Sequence, residues 1–406
     1  MYKITPLALV LATGLFSFAQ TVYGQTDNID SQVIEWRRHI HQNPELSFEE
    51  NHTADYVEKT LKSFGNIEIM RPTPTSVLGI LKGGAGAGKT VAFRADMDAL
   101  PVEEETGLPF ASKVKNVSHA CGHDAHTAML LGTASVLSKQ QKELPGTVYF
   151  LFQHAEERAP GGAEAIIKSG VLKGVDAFFG LHVVPNIPAG DIGILPAGAA
   201  STNSDGFNLT IRGKGSHGSM PNLGVDPIVV GAEIVNNLQT IVSRNVTPGE
   251  MAVVTVGRFQ SGNANNVIPE TADLGATVRT INDSTRVLVS RRIKDIIEYT
   301  CKAYGATPEL DYIFSYPAIQ NNPELVALAR RAAIEAVGEK EVIDVPRMTA
   351  SEDFSYYKEV APTCFIVLGV GPGPANHSPK FNLDEKALSN GVKTEVQIVK
   401  DYLGYK

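Results

Sequence analysis

The sequence contains few cysteines and no excess of positive charge. Three cysteines in 406 residues, Cys121, Cys301 and Cys364, are too few for the disulfide framework of a small secreted domain. Lysine and arginine (36) are outnumbered by aspartate and glutamate (44), which gives a net charge of −8. Because the chain has no basic stripe to neutralise phosphates, we expect it to bind neither nucleic acid nor anionic membranes.

The apolar stretch near the first residue is too short to span a bilayer. Residues 6–19 are mainly apolar, follow Lys3 and precede small and polar residues up to Gln25. This layout is typical of a secretory signal peptide, with cleavage after Ala19 or Gly24. We therefore expect residues 1–24 to be removed on export to the periplasm or the medium, which leaves no stable membrane anchor.

The length and the alternation of helices and strands predict two domains. A chain of 406 residues exceeds a single ordinary core. Helices and strands alternate over residues 25–198 and again over 317–406, which predicts one α/β domain built in two parts. Residues 199–316 follow the order β-α-β-β-α-β of a ferredoxin-like α+β unit. We therefore predict an α/β fold interrupted by an inserted α+β domain.

The residues best suited to bind a metal ion lie between Ser118 and Thr127. Cys121 and His123 are separated only by Gly122. On a helix their side chains would point about 200° apart, whereas a turn at the glycine lets both face one point. A thiolate and an imidazole suit zinc and its neighbours, and manganese is favoured only if carboxylates join them. A buried cysteine beside helix-capping residues is the structural alternative.

Further candidate ligands follow three predicted strands. Asp96 and Asp98 come at the end of one strand, Glu156 and Glu157 after the next, and His182 after a third. Open α/β sheets place their sites at the carboxyl ends of strands. Adjacent residues of an extended segment face opposite ways, so one of the two glutamates can bind a metal ion and the other a water.

Nine motifs in order cover nearly the whole chain after residue 24 and resemble those of one family. They are Asn43-Pro44-Glu45-Leu46, Arg94-Ala95-Asp96-Met97-Asp98-Ala99-Leu100-Pro101, His119-Ala120-Cys121-Gly122-His123-Asp124, Glu156-Glu157, Gly180-Leu181-His182, Gly213-Lys214-Gly215-Ser216-His217, Asn266-Val267-Ile268-Pro269, Glu352-Asp353-Phe354 and His377-Ser378-Pro379. The chain resembles the aminoacylase and carboxypeptidase family of di-metal metallopeptidases. Within it, the chain is most similar to the amidohydrolase branch of hippurate hydrolases, N-acyl-L-amino acid amidohydrolases and plant auxin-conjugate hydrolases.

The resemblance implies a fold, a cofactor and a set of site residues. The fold is a mixed-sheet, phosphorylase/hydrolase-like di-metal catalytic domain (25–198 and 317–406) with an inserted ferredoxin-like lid and dimerisation domain (199–316), through which a homodimer forms. The resemblance also implies two divalent metal ions per subunit. They are zinc or manganese, and cobalt and nickel also suit the ligands. The implied ligands are Cys121, His123, Glu157, His182 and His377.

The resemblance assigns further roles to individual residues. Glu156 is the implied general acid and base, and Asp98 orients a ligand histidine. His217 acts on the substrate carbonyl, and Asn266 and Arg279 bind its free carboxylate; an exposed strand residue is the alternative for Arg279.

Several residues depart from the usual sequence of that branch without removing a ligand. The chain has His154 where proline is usual, Ser118 where methionine is usual, Asn376 where leucine is usual, Ser351 where glycine is common, and Gly218-Ser219 where two alanines are common. We expect these positions, His154 most of all, to affect the shape of the pocket and the choice of substrate.

The implied function is that of an exported, metal-dependent amidohydrolase that cleaves small N-acyl or N-aminoacyl amino acids with metal-activated water. A metallo-dipeptidase or carboxypeptidase is the nearest alternative, and the Cys-Gly-His-Asp motif and His182 favour the amidohydrolase branch over it. A non-catalytic metal-binding or peptide-binding protein would be expected to lack Glu156 or a ligand, and here all are present. A redox role for Cys121 is disfavoured because no second cysteine lies near it in the sequence.

Overall fold

The computed structural model describes residues 29–405; the predicted signal peptide, residues 1–24, lies outside the described residues. The helices are α1 (29–42), α2 (Asn51–Ser63), α3 (His123–Lys139), α4 (Ala163–Lys168), α5 (Pro227–Thr240), α6 (Asp283–Tyr304), α7 (Pro323–Val337) and α8 (Leu388–Leu403). The strands are β1 (Glu68–Met70), β2 (Val77–Lys82), β3 (Thr90–Asp96), β4 (Thr147–Gln153), β5 (Ala177–Pro188), β6 (Ile192–Ile194), β7 (Gly198–Ala199), β8 (Asn203–Arg212), β9 (Ser216–His217), β10 (Ala252–Ser261), β11 (Val267–Ile268), β12 (Thr271–Thr280), β13 (Thr307–Ile313), β14 (Gln320–Asn321), β15 (Val342–Asp344) and β16 (Thr363–Gly371). Over residues 29–405, no helix combines the length and apolar character needed to cross a membrane.

Contacts between residues divide the chain into two compact units. The first contains the described residues up to Leu195 together with Pro323–Val345 and the chain from Val360 onward. The second contains Pro196–Asn322 and the short segment Pro346–Glu359. The functional assignment of the predicted domains, a catalytic domain and a lid or dimerisation domain, stays a prediction.

The first unit is built on a mixed sheet, which agrees with the predicted fold class. Its strands lie in the order β1-β2-β4-β3-β5-β16, with β6 beside β16 and β15 beside β6. Strands β4, β3, β5 and β16 run parallel to one another. Strand β2 is antiparallel to β4, β1 is antiparallel to β2, and β6 is antiparallel to β16. The parallel strands are apolar on both faces because helices cover a parallel sheet on both sides. Since β3, β4 and β5 run in the same direction, the polar residues at the carboxyl ends of β3 and β4 lie level with the middle of the longer β5.

Helix α3 lies in the core of this unit. Apart from its last turn, nearly all of its residues are buried, including the run from Ala125 to Ala134. A helix that is apolar on all sides must be enclosed to be stable, and α3 packs against the sheet strand β3 and against α8. Its first residue is His123, so a rigid, buried helix holds one of the predicted metal ligands.

The second unit has the predicted β-α-β-β-α-β order. Strands β10-β12-β8-β13 form an antiparallel sheet in that order, and the apolar sides of α5 and α6 share one core with it. Alternate residues of β8 are buried, as expected for a strand with one face on a core. The side chain of Asp226 caps α5 by accepting a hydrogen bond from the backbone N–H of Ile228. The side chain of Asn282 caps α6 by accepting one from the backbone N–H of Thr285.

Candidate metal centre

A glycine turn presents Cys121 and His123 to the same point, as the sequence predicts. Gly122 has a φ of 92°, a left-handed conformation that favours glycine. A Cβ atom on Gly122 would lie 2.3 Å from Cγ2 of Val183 in β5, so the close approach of that strand also requires a residue without a side chain. The turn brings Sγ of Cys121 within 3.4 Å of Nε2 of His182. The prediction that the third strand ends before His182 is wrong, because β5 continues to Pro188 and His182 lies in its middle.

The structure brings all five predicted ligands and Glu156 into one cluster. Three overlapping groups each have their ligand atoms within 4.8 Å of one another: Cys121, His123 and His182; Cys121, Glu157 and His377; and His123, Glu156 and Glu157. The first two groups share only the thiol of Cys121. A thiolate shared between two sets of ligands could bridge two neighbouring cations, and the ligand roles themselves stay a prediction.

The cluster has the chemistry of a cation site. Nε2 of His123 is buried and has no hydrogen-bond partner among the described residues. It lies 3.9 Å from Oε1 of Glu157 and 4.0 Å from Oε2 of Glu156, too far for hydrogen bonds. Two ligands that each lie about 2.1 Å from one cation are separated by roughly 3–4 Å. A thiolate and two carboxylates gathered in a largely buried cluster would repel one another, and divalent cations bound there, with neutral imidazoles as further ligands, would remove that penalty.

Asp98 holds both His123 and the chain at Glu157. Its Oδ1 lies 3.2 Å from Nδ1 of His123, and its Oδ2 accepts hydrogen bonds from Oγ of Ser47 (2.6 Å) and the backbone N–H of Glu157 (3.0 Å). Although burial opposes ionisation, the hydrogen bonds from His123 and Ser47 hold the pKa of Asp98 below its usual value. Because Nδ1 of His123 is directed at this carboxylate, Nε2 is the nitrogen available to a metal ion.

His182 is oriented by the backbone of the residue that follows it. Its Nδ1 donates to the carbonyl oxygen of Val183 (2.8 Å), which leaves Nε2 facing Cys121. Burial, reinforced by His126, lowers the pKa of His182 well below its usual value. The ring is therefore neutral, the form that binds metal ions.

Three neighbouring residues support this part of the site: Asp96, a candidate ligand in the sequence, and Arg94 and His126, for which the sequence predicts no role. Nε2 of His126 accepts the backbone N–H of Val183 (2.9 Å), and its Nδ1 donates to Oδ1 of Asp96 (2.6 Å). Arg94 binds the other oxygen of Asp96 at 2.6 Å. The sequence signal was the spacing: His126 follows His123 by three residues, so both lie on one side of α3.

A left-handed residue precedes the two glutamates. Strand β4 ends at Gln153, and Ala155 has a φ of 53°. The expectation that Glu156 and Glu157 alternate along an extended segment is therefore wrong, because the chain turns at Ala155. The two carboxylates nevertheless separate: Oε1 of Glu157 lies 3.2 Å from Nε2 of His377, whereas Oε2 of Glu156 lies 4.0 Å from Nε2 of His123.

His377 is held in a strained backbone conformation by contacts with the loop of Cys121. Its φ is 68°, and its backbone N–H donates to the carbonyl of Ala120 (2.8 Å). Nδ2 of the neighbouring Asn376 donates to the carbonyl of Cys121 (3.1 Å) and lies 3.5 Å from that of Val183. Hydrogen bonds to Cys121 and Glu157 raise the pKa of His377 to about 10.

The residues with predicted roles toward the substrate all lie in the second unit. His217 pairs with Val267 in the short β9–β11 ladder, and Asn266 immediately precedes β11, where its carbonyl accepts the N–H of Gly218. The structure thus places His217 and Asn266 beside each other at one short antiparallel ladder. Arg279 lies in a different sheet, in β12, where its Nη1 donates to Oγ1 of Thr277. The roles of these three residues stay predictions.

Comparisons with known proteins agree with this chemistry. Residues 92–401 match the model of the peptidase family M20/M25/M40. The chain is 46% identical over 298 residues to an N-acyl-L-amino acid amidohydrolase of Geobacillus stearothermophilus, which covers 73% of this chain and 80% of that protein. It is 40% identical over 361 residues to an N-acetylcysteine deacetylase of Bacillus subtilis strain 168, with 88% and 93% of the two chains covered.

A solved structure extends the likeness to three dimensions. The YXEP protein of Bacillus subtilis, described as a dinuclear metal binding peptidase, superposes with a TM-score of 0.80 at 36% identity. The superposition covers 94% of this chain and 100% of that one.

Proposed function

Since the chain belongs to the M20/M25/M40 peptidase family and is a metal-dependent amidohydrolase or peptidase, we propose that it hydrolyses the amide bond of N-acyl amino acids. The observation that carries this proposal is the position of Glu156. Its carboxylate is buried beside the five predicted ligands. It shares one candidate group with His123 and Glu157 and another with Asp96 and Glu352, but none with Cys121. An acid or base next to the metal ions, and not needed to hold them, is what amide hydrolysis requires.

Two divalent ions, when bound by Cys121, His123, Glu157, His182 and His377, supply positive charge that polarises an amide carbonyl and makes water more acidic. We propose zinc or manganese, with cobalt and nickel as further fits to mixed sulfur, nitrogen and oxygen ligands.

The chain itself supplies the proton transfers. A water that attacks the amide carbonyl carbon must lose a proton, and Glu156 takes it. When the carbon–nitrogen bond breaks, the leaving nitrogen needs a proton, and the same carboxyl group returns one to it. The products are a carboxylic acid and the free amino acid, and Glu156 regains its starting state.

Selection of the substrate is assigned to the second unit. We propose that His217 donates a hydrogen bond to the oxygen that becomes negative during the attack, and that Arg279 and Asn266 bind the free carboxylate of the amino acid. A planar guanidinium matches a carboxylate with two parallel hydrogen bonds. The similarity to an N-acyl-L-amino acid amidohydrolase over 73% of the chain supports this choice of substrate.

The decisive experiment is an assay of the purified protein against N-acetyl and N-benzoyl amino acids and against dipeptides, with each candidate metal added back. We expect the N-acyl amino acids to give the higher kcat/KM, and their C-terminally amidated analogues to give a lower one. Preference for dipeptides would instead establish the peptidase alternative, and activity on none of these compounds would contradict the proposal.

Export and self-association are further parts of the proposal. Export is supported only by the composition of residues 1–24 and is tested by finding the mature protein, cleaved after Ala19 or Gly24, outside the cytoplasm. A homodimer is supported by β10, an edge strand of its sheet on which Val253 and Phe259 are exposed. Sedimentation should show a dimer that Val253→Asp dissociates.

A further inference from the structure

Glu50 binds the backbone N–H groups of two residues in left-handed conformation. Its Oε1 accepts from the N–H of Ala155 (2.7 Å) and from that of Phe48 (3.1 Å). Ala155 has a φ of 53° and Phe48 a φ of 70°. A side chain with a Cβ atom rarely adopts this conformation, and it persists only where surrounding contacts hold it.

Ala155 directly precedes the proposed acid and base. The loop from His154 to Glu157 is held at alternate backbone N–H groups by two buried carboxylates: Glu50 binds that of Ala155, and Asp98 binds that of Glu157 at 3.0 Å. Glu156 lies between these two attachment points. The direction of its side chain therefore depends on the φ of Ala155.

The same short segment supplies both carboxylates with further contacts. Ser47 donates its hydroxyl to Asp98 (2.6 Å), and Phe48 donates its N–H to Glu50. Glu50 itself is fully buried at the start of α2, so its carboxyl group has little freedom to move. Residues 47–50 thus act as one rigid support for the loop.

We propose that Glu50 is a positioning residue for Glu156, acting by holding Ala155 in the left-handed conformation. The inference rests on the proposed role of Glu156 in hydrolysis. It assigns Glu50 no contact with substrate or metal ion and no proton transfer.

The protonation of Glu50 is consistent with a purely positional role. Burial and the carboxylate of Asp98 raise the pKa of Glu50 to about 7, and its Oε2 has no hydrogen-bond partner among the described residues. Oε1 accepts the N–H of Ala155 whether or not Oε2 carries a proton. A glutamine, which resembles the protonated acid, should therefore serve in its place.

The test compares Glu50→Ala with and without Ala155→Gly. Loss of the support should lower kcat by about 10- to 100-fold, the effect of a small misplacement of a reacting group, with KM and metal content little changed. Glycine adopts a positive φ without a steric penalty, so the double variant should regain about tenfold in kcat over Glu50→Ala. Glu50→Gln should stay within about threefold of the wild type.

Glu45→Ala is the matched control. Glu45 lies in the same segment and its carboxylate also binds backbone N–H groups at the start of α2, those of His52 (3.1 Å) and Thr53 (2.8 Å). Its removal should destabilise this helix end without lowering kcat.

Amide hydrogen exchange gives a measurement that needs no activity. Exchange at the N–H of Ala155 should become faster in Glu50→Ala and stay unchanged in Glu45→Ala. If the wild type proves inactive on N-acyl amino acids, the proposed function is wrong, but the exchange rate at Ala155 still tests the role of Glu50 independently. A double variant no better than Glu50→Ala, a Glu50→Gln as impaired as Glu50→Ala, or unchanged exchange at Ala155 would each overturn the inference.

Discussion

Ser219 hydrogen-bonds to the imidazole of His217 in a way that fixes which ring nitrogen carries the proton. Its Oγ lies 2.8 Å and its backbone nitrogen 3.2 Å from Nδ1 of His217. A backbone N–H can only donate, so Nδ1 is the acceptor and the proton of the neutral ring is on Nε2. His217 is therefore prepared to donate a hydrogen bond from Nε2, as its proposed role on the substrate requires.

We expect His217→Ala to lower kcat by about 100-fold or more, because a donor to the developing negative charge acts mainly in the transition state. Ser219→Ala keeps the backbone donor and should lower kcat by less than about tenfold. Steady-state kinetics on one N-acyl amino acid and elemental analysis of both variants check this. Equal losses in the two variants would show that the hydroxyl of Ser219 matters as much as the ring.

Removal of metal ions should abolish activity, and zinc or manganese should restore it. In cobalt-substituted protein we expect a thiolate-to-metal absorption band that disappears in Cys121→Ser. Cys301→Ser is the control, because Cys301 is a buried free thiol in the core of the second unit and should leave the band unchanged. Full activity of protein shown by elemental analysis to be metal-free contradicts the two-metal assignment.

Glu156→Gln should keep the metal content and lower kcat by about 100-fold or more, since the amide cannot take a proton from water. Glu157→Gln should instead lower the metal content, because Glu157 lies with Cys121 and His377 in one candidate ligand group. The measurements are kcat and bound metal per subunit. The opposite pattern would mean that the two residues have been assigned the wrong way round.

Asn376 should contribute to metal affinity although it is not a proposed ligand. It connects the carbonyl of Cys121 with the chain next to His377, so Asn376→Leu should weaken metal binding by about tenfold, as loss of a residue that orients ligands does. Competition with a chromophoric chelator measures the affinity. Asn390→Leu removes a comparable hydrogen bond, to the carbonyl of Gly190 at 2.9 Å, and should have no effect on it.

The buried carboxyl of Glu395 should make the protein less stable at alkaline pH. Burial raises its pKa to about 8, and Thr133 donates a hydrogen bond to it at 2.6 Å. Between about pH 5 and 8 the unfolded carboxyl has lost its proton while the folded one keeps it. The unfolded state then binds one proton fewer, so the free energy of unfolding falls by about 1.4 kcal/mol per pH unit.

Glu395→Gln should remove this dependence on pH. The free energy of unfolding of the variant minus that of the wild type should therefore increase from pH 5 to pH 8. Urea unfolding at several pH values measures the difference. Glu335→Gln, at an exposed position of α7, is the control and should follow the wild type. A difference between Glu395→Gln and the wild type that does not change with pH would show that Glu395 ionises normally.

The sequence could predict the parts of the site that are determined by the direction of parallel strands and by a turn at a glycine. Parallel strands bring their carboxyl ends to one edge, so Asp98, Glu156 and His182 could be expected near one another before any coordinates were known. Gly122 between Cys121 and His123 indicated the turn. The conformation of Ala155 could not be predicted, because its cause is a hydrogen bond to Glu50, more than one hundred residues earlier in the chain.

Periodicity does not fix the rotation of a helix where apolar residues are continuous. The run Pro227-Ile228-Val229-Val230 places apolar side chains on every side of the first turn of α5. In the structure Val230 and Ile234 are buried, whereas Ile228 and Val229 are exposed. Only the packing of the helix on its sheet decides the rotation.

The cluster of ligands gives this chain a cross-link that its cysteines do not provide. All three cysteines are free thiols, yet a cation bound by Cys121 and His377 would join two segments separated by the whole of the second unit. Closing so long a loop reduces the conformational freedom of the unfolded chain, and metal binding is coupled to folding wherever the ligands come together only in the native state. The last ligand to be synthesised, His377, completes the set only after the second unit has been made, which makes metal binding a late step in the assembly of the chain.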